Sequence, residues 1–299
     1  MPSDGAEHRA GYVVLCGRSN VGKSTLLNRL VGEKVAIVTP RPQTTRRTIL
    51  GIRTDPDAQL ILVDTPGLHE ATRLLNRRMV EVARAAMAEG DVVAVLVEAG
   101  ARLAAEDREL LAEVRKLGRP TAVVINKIDL VARTMLIPLA QECLGLAPEA
   151  EIVPVSALSG ENVAELVATL KRMLPPGPAL MPEDQYTDQT ERLIVEEAIR
   201  EKIFLAMRQE IPFSTAVKVE QFTEVEDRNL VRISAIIIVD RDAHKGMMIG
   251  AGGQRLKQIG QSARLDIEQR LGRRVFLELH VKVEKNWTRD PRRLSELGL

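Results

Sequence analysis

Apolar residues in the first half of the chain fall into short runs: Tyr12–Cys16, Leu60–Val63, Asp91–Val97, Thr121–Ile125 and Ile152–Val155. Between them, stretches such as Arg73–Ala88 and Ala105–Leu117 carry apolar residues three and four apart, the period of a helix with one buried face. Strands alternating with helices predict a mostly parallel sheet wrapped by helices, an α/β architecture. The less apolar run Thr48–Arg53, followed by Asp55-Pro56-Asp57, predicts one antiparallel hairpin at the sheet's edge.

The pattern changes after Leu174-Pro175-Pro176-Gly177-Pro178, with Pro182 close behind. Such a segment cannot continue a helix and favours an extended linker. We therefore expect two domains, 1–178 and 179–299. The second reads as a helix over about Asp188–Met207, strands near Ala216–Phe222 and Leu230–Asp240, two helices flanking Gly250-Ala251-Gly252-Gly253, and a last strand Val275–Val283. The order α-β-β-α-α-β describes a small α+β unit.

Composition narrows the setting. The 299 residues allow two cores, and a net charge of +1 announces no partner for the molecule as a whole. Two cysteines, Cys16 and Cys143, are too few for a disulfide framework and fit a reducing compartment. No apolar stretch approaches the roughly 20 residues that span a bilayer, and Met1–Ala10 lacks a secretory core. The expectation is a cytoplasmic protein with no transmembrane segment, acting as a monomer.

The chemistry begins at Gly17-Arg18-Ser19-Asn20-Val21-Gly22-Lys23-Ser24-Thr25, which fits the phosphate-loop pattern G-x-x-x-x-G-K-S/T between a strand and a helix. Its glycines let successive backbone N–H groups turn toward phosphate oxygens. Lys23 would reach the β- and γ-phosphates, and the Ser24 hydroxyl would bind Mg²⁺. Asp64-Thr65-Pro66-Gly67 follows the run Leu60–Val63, so Asp64 can serve the Mg²⁺ shell while the Gly67 N–H meets a γ-phosphate. In Pro42-Gln43-Thr44-Thr45-Arg46, between the loop's helix and the next strand, one threonine would complete the metal's coordination; Thr45 is preferred to Thr44.

Base selection is assigned to Asn126-Lys127-Ile128-Asp129 and to Ser156-Ala157-Leu158, each following a strand. The Asp129 carboxylate accepts two hydrogen bonds and so matches the N1–H and 2-amino donors of guanine, a pair that adenine lacks. Asn126 and Lys127 would brace the loop, and a backbone N–H of the second segment would meet the guanine O6. The ligands expected are therefore GTP, GDP and Mg²⁺. A small-molecule kinase using the same phosphate loop is the alternative, and the guanine-selective pair argues against it. Leu68 stands where many GTPases carry a water-orienting glutamine, and it cannot hydrogen-bond. His69 beside it is more often a solvated residue than a base. Hydrolysis would then rest on Lys23, Thr45 and Gly67.

In the second half, Ile249-Gly250-Ala251-Gly252-Gly253 supplies a G-x-x-G loop between two helices, which lets a nucleic-acid backbone approach a helix N-terminus. This is the arrangement of a type II KH domain. Across Arg241–Arg274, eight Lys/Arg stand against three Asp/Glu, whereas Ala179–Leu299 as a whole balances at 20 each. The basic excess is thus concentrated at the loop, where Lys245, Arg255 and Lys257 are the nearest partners for RNA phosphates.

The phosphate loop, Pro42-Gln43-Thr44-Thr45-Arg46 and Asp64-Thr65-Pro66-Gly67-Leu68-His69 together resemble the Era family of TRAFAC-class GTPases. The resemblance continues through Glu183-Asp184-Gln185-Tyr186-Thr187-Asp188 and Ile199-Arg200-Glu201-Lys202-Ile203 to Val281-Lys282-Val283-Glu284-Lys285-Asn286-Trp287. Two residues depart: Ser19, where the family usually has proline, and Glu98, where related GTPases often have aspartate. The resemblance implies RNA binding at the 3′ end of small-subunit (16S) ribosomal RNA and a role in maturing the small ribosomal subunit. It further implies K⁺ ligation by Asn20 and peripheral contact with the inner face of the cell membrane.

Overall fold

In a computed structural model, residues 7–41, 44–67, 74–208, 210–225 and 229–299 are described. The runs of the first half form β1 (Arg9–Gly17), β2 (Ile49–Asp55), β3 (Ala58–Asp64), β4 (Val92–Glu98), β5 (Thr121–Asn126) and β6 (Glu151–Val155). Helices α1 (Lys23–Val31), α2 (Leu74–Glu89), α3 (Ala105–Leu117), α4 (Leu136–Leu146) and α5 (Val163–Met173) connect them. The strand order is β2-β3-β1-β4-β5-β6, parallel throughout except for the β2–β3 hairpin.

Alternation along β1 sorts the two cores. Val13 and Leu15 join Leu26, Leu27 and Leu30 of α1 and Leu166 and Leu170 of α5. Val14 and Cys16 join Met87 of α2, Leu110 and Val114 of α3, and Leu139 and Cys143 of α4. Both cysteines are free, and burial pushes their thiols up to about 12 and about 11. Because β1 lies between β3 and β4, the order of the sheet reverses there. A crevice at the carboxyl ends of the strands follows from that reversal.

The chain divides into two compact units, the first ending at Asp188 and the second continuing from Gln189. The proline-rich stretch is extended, as expected, but it is also pinned to the first unit. The Ala10 N–H donates to Pro175 O (3.2 Å) and the Gly177 N–H to His8 O (2.9 Å). Further on, Gln59 Oε1 accepts from the N–H groups of Leu180 and Met181 at 2.7 and 2.8 Å. The Ile52 N–H donates to Tyr186 O (2.9 Å), and Thr187 Oγ1 donates to Leu50 O (2.7 Å). Strand β2 is an edge, so its outer backbone groups need partners, and residues 185–188 supply them.

In the second unit, α6 (Glu191–Ala206) begins at the Thr190 cap, whose hydroxyl accepts from the Leu193 N–H. Then come β7 (Thr215–Val225), β8 (Leu230–Val239), α7 (Asp242–Ile249), α8 (Gln254–Leu271), β9 (Arg274–Val283) and α9 (Pro291–Glu296). The sheet β7-β8-β9 pairs β7 antiparallel and β9 parallel to β8. One helical layer covers it, packing Ile199 and Ile203 of α6 and Ile259, Ala263 and Ile267 of α8 against Ile233, Ala235 and Ile237. Among the described residues no helix is long and apolar enough to cross a membrane.

Candidate functional site

Strand β1 delivers the chain into the loop Gly17–Gly22, where Asn20 and Gly22 have φ of 67° and 102°. Left-handed residues at these points rotate consecutive N–H groups toward the loop's interior, which makes an anion-binding nest ahead of α1. Lys23, the first residue of α1, is buried, and its Nζ donates to Gly17 O (3.0 Å) and Arg18 O (2.9 Å). Burial pushes its ammonium down from the usual range, while the nearby Asp64 carboxylate pulls the other way. A cation held in a dry loop acts on phosphate far more strongly than one in water.

Three oxygen-bearing side chains converge beside it. The Ser24 hydroxyl donates to Asp64 Oδ2 (2.7 Å) and lies 2.9 Å from Thr45 Oγ1, which itself donates to Asp64 Oδ2 (3.2 Å). Asp64 is fully buried; burial pushes its carboxyl up against the pull of Lys23, Ser24 and Thr45. Its second oxygen, Oδ1, is buried without a hydrogen-bond partner among the described residues. Two hydroxyls and a carboxylate with a spare oxygen are hard donors that fit Mg²⁺. Thr44 is not among them: its hydroxyl is engaged by Thr39 Oγ1 (2.7 Å) and Arg41 O (2.9 Å).

The turn after Asp64 closes against the phosphate loop. A Cβ on Gly67 would lie 2.6 Å from Ser19 Oγ and 2.9 Å from both Ser19 N and Cα, so only glycine permits this contact. Thr65 fixes the turn by donating to Leu15 O (2.9 Å), and Pro66 follows it. Of the residues singled out from the sequence, Pro42, Gln43, Leu68 and His69 lie outside the described residues.

At the ends of β5 and β6 the segments expected to select the base meet. Asn126 Nδ2 donates to Val21 O (2.7 Å) and its Oδ1 accepts from the Ala157 N–H (2.9 Å), so one side chain ties three loops together. Lys127 has a φ of 67° and pairs with Glu98 at 3.1 Å; the longer acid at this position still reaches the lysine. Ile128 and Asp129 lie on the turn Ile128–Leu130, with the Asp129 side chain exposed. Ser156 is buried and its Oγ accepts from the Ser159 N–H (3.1 Å), while Leu158 is exposed. Arg29 of α1 donates to the carbonyls of Ala157 and Leu158, a brace that no local motif signals.

One further contact escaped sequence reasoning. Arg18 Nε donates to Asp107 Oδ1 and Oδ2 of α3 at 2.9 and 3.1 Å. The two residues are 89 apart, and Asp107 reads as an ordinary first-turn acid, so spacing could not reveal the pair.

In the second unit, α7 ends at Ile249 and the G-x-x-G loop turns through Gly250, Gly252 and Gly253, with φ of 73°, 56° and 76°. A Cβ on Gly250 would come within 2.8 Å of the Arg255 Cβ, so a side chain there would jam the start of α8. Ala251 and Gly252 are exposed at the tip, and Lys245, Arg255 and Lys257 are exposed around it.

Comparison with known proteins identifies the family. The family model described as a 50S ribosome-binding GTPase matches residues 12–127, and the KH domain model matches residues 210–288. GTPase Era of Syntrophus aciditrophicus is 47% identical over 97% of this chain and 95% of its own length. The chain belongs to the Era family of GTPases. As a member it hydrolyses GTP to GDP and phosphate, with a P-loop α/β domain followed by a KH domain. GTPase Era of Mycolicibacterium smegmatis is 44% identical over 98% of this chain and 99% of its own length. Two solved Era structures superpose with a TM-score of 0.94, each covering 97% of this chain and 99% of the other. One is a variant of the Aquifex aeolicus protein bound to GDP·AlF4⁻, 42% identical. The other is Era in complex with MgGDPNP and nucleotides 1506–1542 of 16S ribosomal RNA, 43% identical.

Proposed function

We propose that this chain binds the 3′ end of small-subunit (16S) ribosomal RNA through its KH domain and uses GTP to act in maturation of the small ribosomal subunit. The observation that carries the reading is the likeness, over 97% of the chain, to the Era complex with a 16S fragment. That likeness outweighs the 50S in the family model's description, because the model spans only residues 12–127, within the nucleotide-binding part. We infer a cytoplasmic protein acting as a monomer, a reading supported by a ribosomal RNA partner and by one chain carrying both sites.

On this reading the loop Gly17–Thr25 wraps the phosphates, Lys23 neutralises charge on the β- and γ-phosphates, and the Gly67 N–H holds the γ-phosphate. Ser24, Thr45 and Asp64 hold Mg²⁺, which supplies further neutralisation of the phosphate oxygens when bound. Asn126 and Lys127 brace the base pocket, Asp129 selects guanine, and the loop Ser156-Ala157-Leu158 meets its O6. Ile249–Gly253, Lys245, Arg255 and Lys257 contact the RNA backbone. Sequencing RNA crosslinked to the full chain in cells tests the reading. Reads should pile up at the 3′ end of 16S RNA, and an even spread over unrelated RNA would overturn it.

Asn20 carries a further expectation. Its left-handed backbone places it at the rim of the loop, with its side chain exposed. A K⁺ ligated there would offset transition-state charge, the work an arginine finger performs elsewhere. Hydrolysis should therefore run faster in K⁺ than in Na⁺ at equal ionic strength, and Asn20→Ala should erase the difference. Equal rates of phosphate release in the two salts would remove K⁺ from the mechanism.

A further inference from the structure

The phosphate loop needs support on both flanks, because a nest of inward N–H groups holds its shape only if the backbone is tied from outside. Its C-terminal flank is tied by Asn126, which donates to Val21 O. Within the motif, Lys23 Nζ ties the N-terminal flank by donating to Gly17 O and Arg18 O. Among the described residues Ser19 Oγ is buried with no hydrogen-bond partner. Arg18 ties the flank from outside, to helix α3. Its guanidinium bonds both oxygens of Asp107, and its backbone carbonyl accepts from Lys23 Nζ at 2.9 Å.

We propose that Asp107 is a positioning residue for nucleotide binding: through Arg18 it fixes the N-terminal flank of the phosphate loop and, with it, the Lys23 ammonium. This rests on GTP and GDP occupying the loop Gly17–Ser24. Asp107 is suited to the task because it sits on a rigid element. It occupies the first turn of α3, and its Oδ2 also accepts from the Ala104 N–H (3.4 Å), which orients the carboxylate. The Asp107 side chain is 2% exposed and that of Arg18 is 31% exposed, so the loop residue reaches inward to a fixed acceptor. A carboxylate removed from water needs such a partner, and Arg18 provides two hydrogen bonds to it. The arrangement makes a relay in which helix α3 holds Arg18, and the Arg18 carbonyl holds Lys23.

The bland alternative is that Asp107 serves only the N-terminus of α3 through Ala104. The two roles separate by mutating the other end of the pair. Fluorescent GTP and GDP analogues should be titrated into the full-length parent, Asp107→Asn, Arg18→Gln, the double variant and Lys23→Ala, with thermal melts alongside. We expect Asp107→Asn and Arg18→Gln each to weaken both nucleotides by about fivefold, close to 1 kcal/mol. The double variant should be no weaker than either single one, because the two side chains act as one unit. In steady-state hydrolysis KM should rise with kcat held, as for an interaction made equally in the bound substrate and the transition state. Lowered melting temperature with unchanged affinities would assign Asp107 to the α3 cap alone. Weakening by Asp107→Asn without Arg18→Gln would equally overturn the relay. Full-strength binding by Lys23→Ala would instead show that the nucleotide lies elsewhere, a failure of the underlying reading rather than of the pair.

Discussion

Asp129→Asn should weaken GTP binding by about a hundredfold and turn the preference toward xanthine nucleotides. Each hydrogen bond to a charged group contributes about 1.5 kcal/mol or more, so disrupting the pair that the carboxylate makes with guanine costs about 3 kcal/mol. The amide that replaces the carboxylate brings a donor to face guanine's own donors. Xanthine answers that donor with its 2-oxo group and regains a bond. The fold should be indifferent to the change, because Asp129 is exposed on the turn Ile128–Leu130. That turn is closed by the backbone, with the Leu130 N–H donating to Lys127 O at 3.0 Å. The Asn126 brace to Val21 and Ala157 and the Lys127–Glu98 pair would remain in place. Titration with GTP and with xanthosine triphosphate checks the claim. Undiminished GTP affinity in the variant would refute the assignment of the base pocket.

Replacing Ala251 and Gly252 together by aspartate should lower affinity for single-stranded RNA at least tenfold, about 1.4 kcal/mol. The change sets two negative charges where phosphates would pass and two larger side chains where a backbone would approach. Both positions are exposed, and nothing lies within 4 Å of a Cβ built on Gly252. Its φ of 56° is left-handed, a conformation that aspartate tolerates better than most residues. The contacts that hold the unit together lie elsewhere, among α6, α8 and the sheet. A circular dichroism spectrum like the parent's is therefore expected, with GTP binding unchanged. For the parent, affinity should fall steeply with salt, because phosphate contacts release counterions. A folded double variant that binds RNA undiminished would move the interface away from the G-x-x-G loop.

The helix–strand alternation and the main motifs were legible because their information is local. A phosphate loop needs a strand, a turn and a helix in immediate succession, and Tyr12 to Leu30 carries all three. Asp64, Asn126 and Ser156 each follow an apolar run, and parallel strands bring such positions to one edge of the sheet whatever their separation along the chain. Gly253 and Gly272 bound α8, and both glycines are visible in the sequence beside the expected helix.

What lay beyond sequence reasoning depends on which elements become neighbours. Asp64 was assigned to the metal from its motif, and Thr45 was preferred to the adjacent Thr44, but the sequence shows no contact that separates the two. The path of the backbone brings Thr45 to Asp64 and Ser24 and leaves Thr44 bonded within its own segment. The proline-rich stretch was recognisable as extended, yet nothing in its composition told that it would bond to His8 and Ala10, or that Tyr186 and Thr187 beyond it would cover the edge of β2. The Arg18–Asp107 pair arises because β1 and β4 are adjacent strands, so α3, which follows β4, stands beside the loop that follows β1. The sequence by itself determined the class of chemistry, a P-loop GTPase followed by a KH domain, and supplied its candidate sites: a phosphate nest, a carboxylate suited to guanine and a glycine loop between two helices. Only the tertiary structure decided which side chains hold those groups in place, because such contacts join residues whose proximity follows from strand order rather than from spacing.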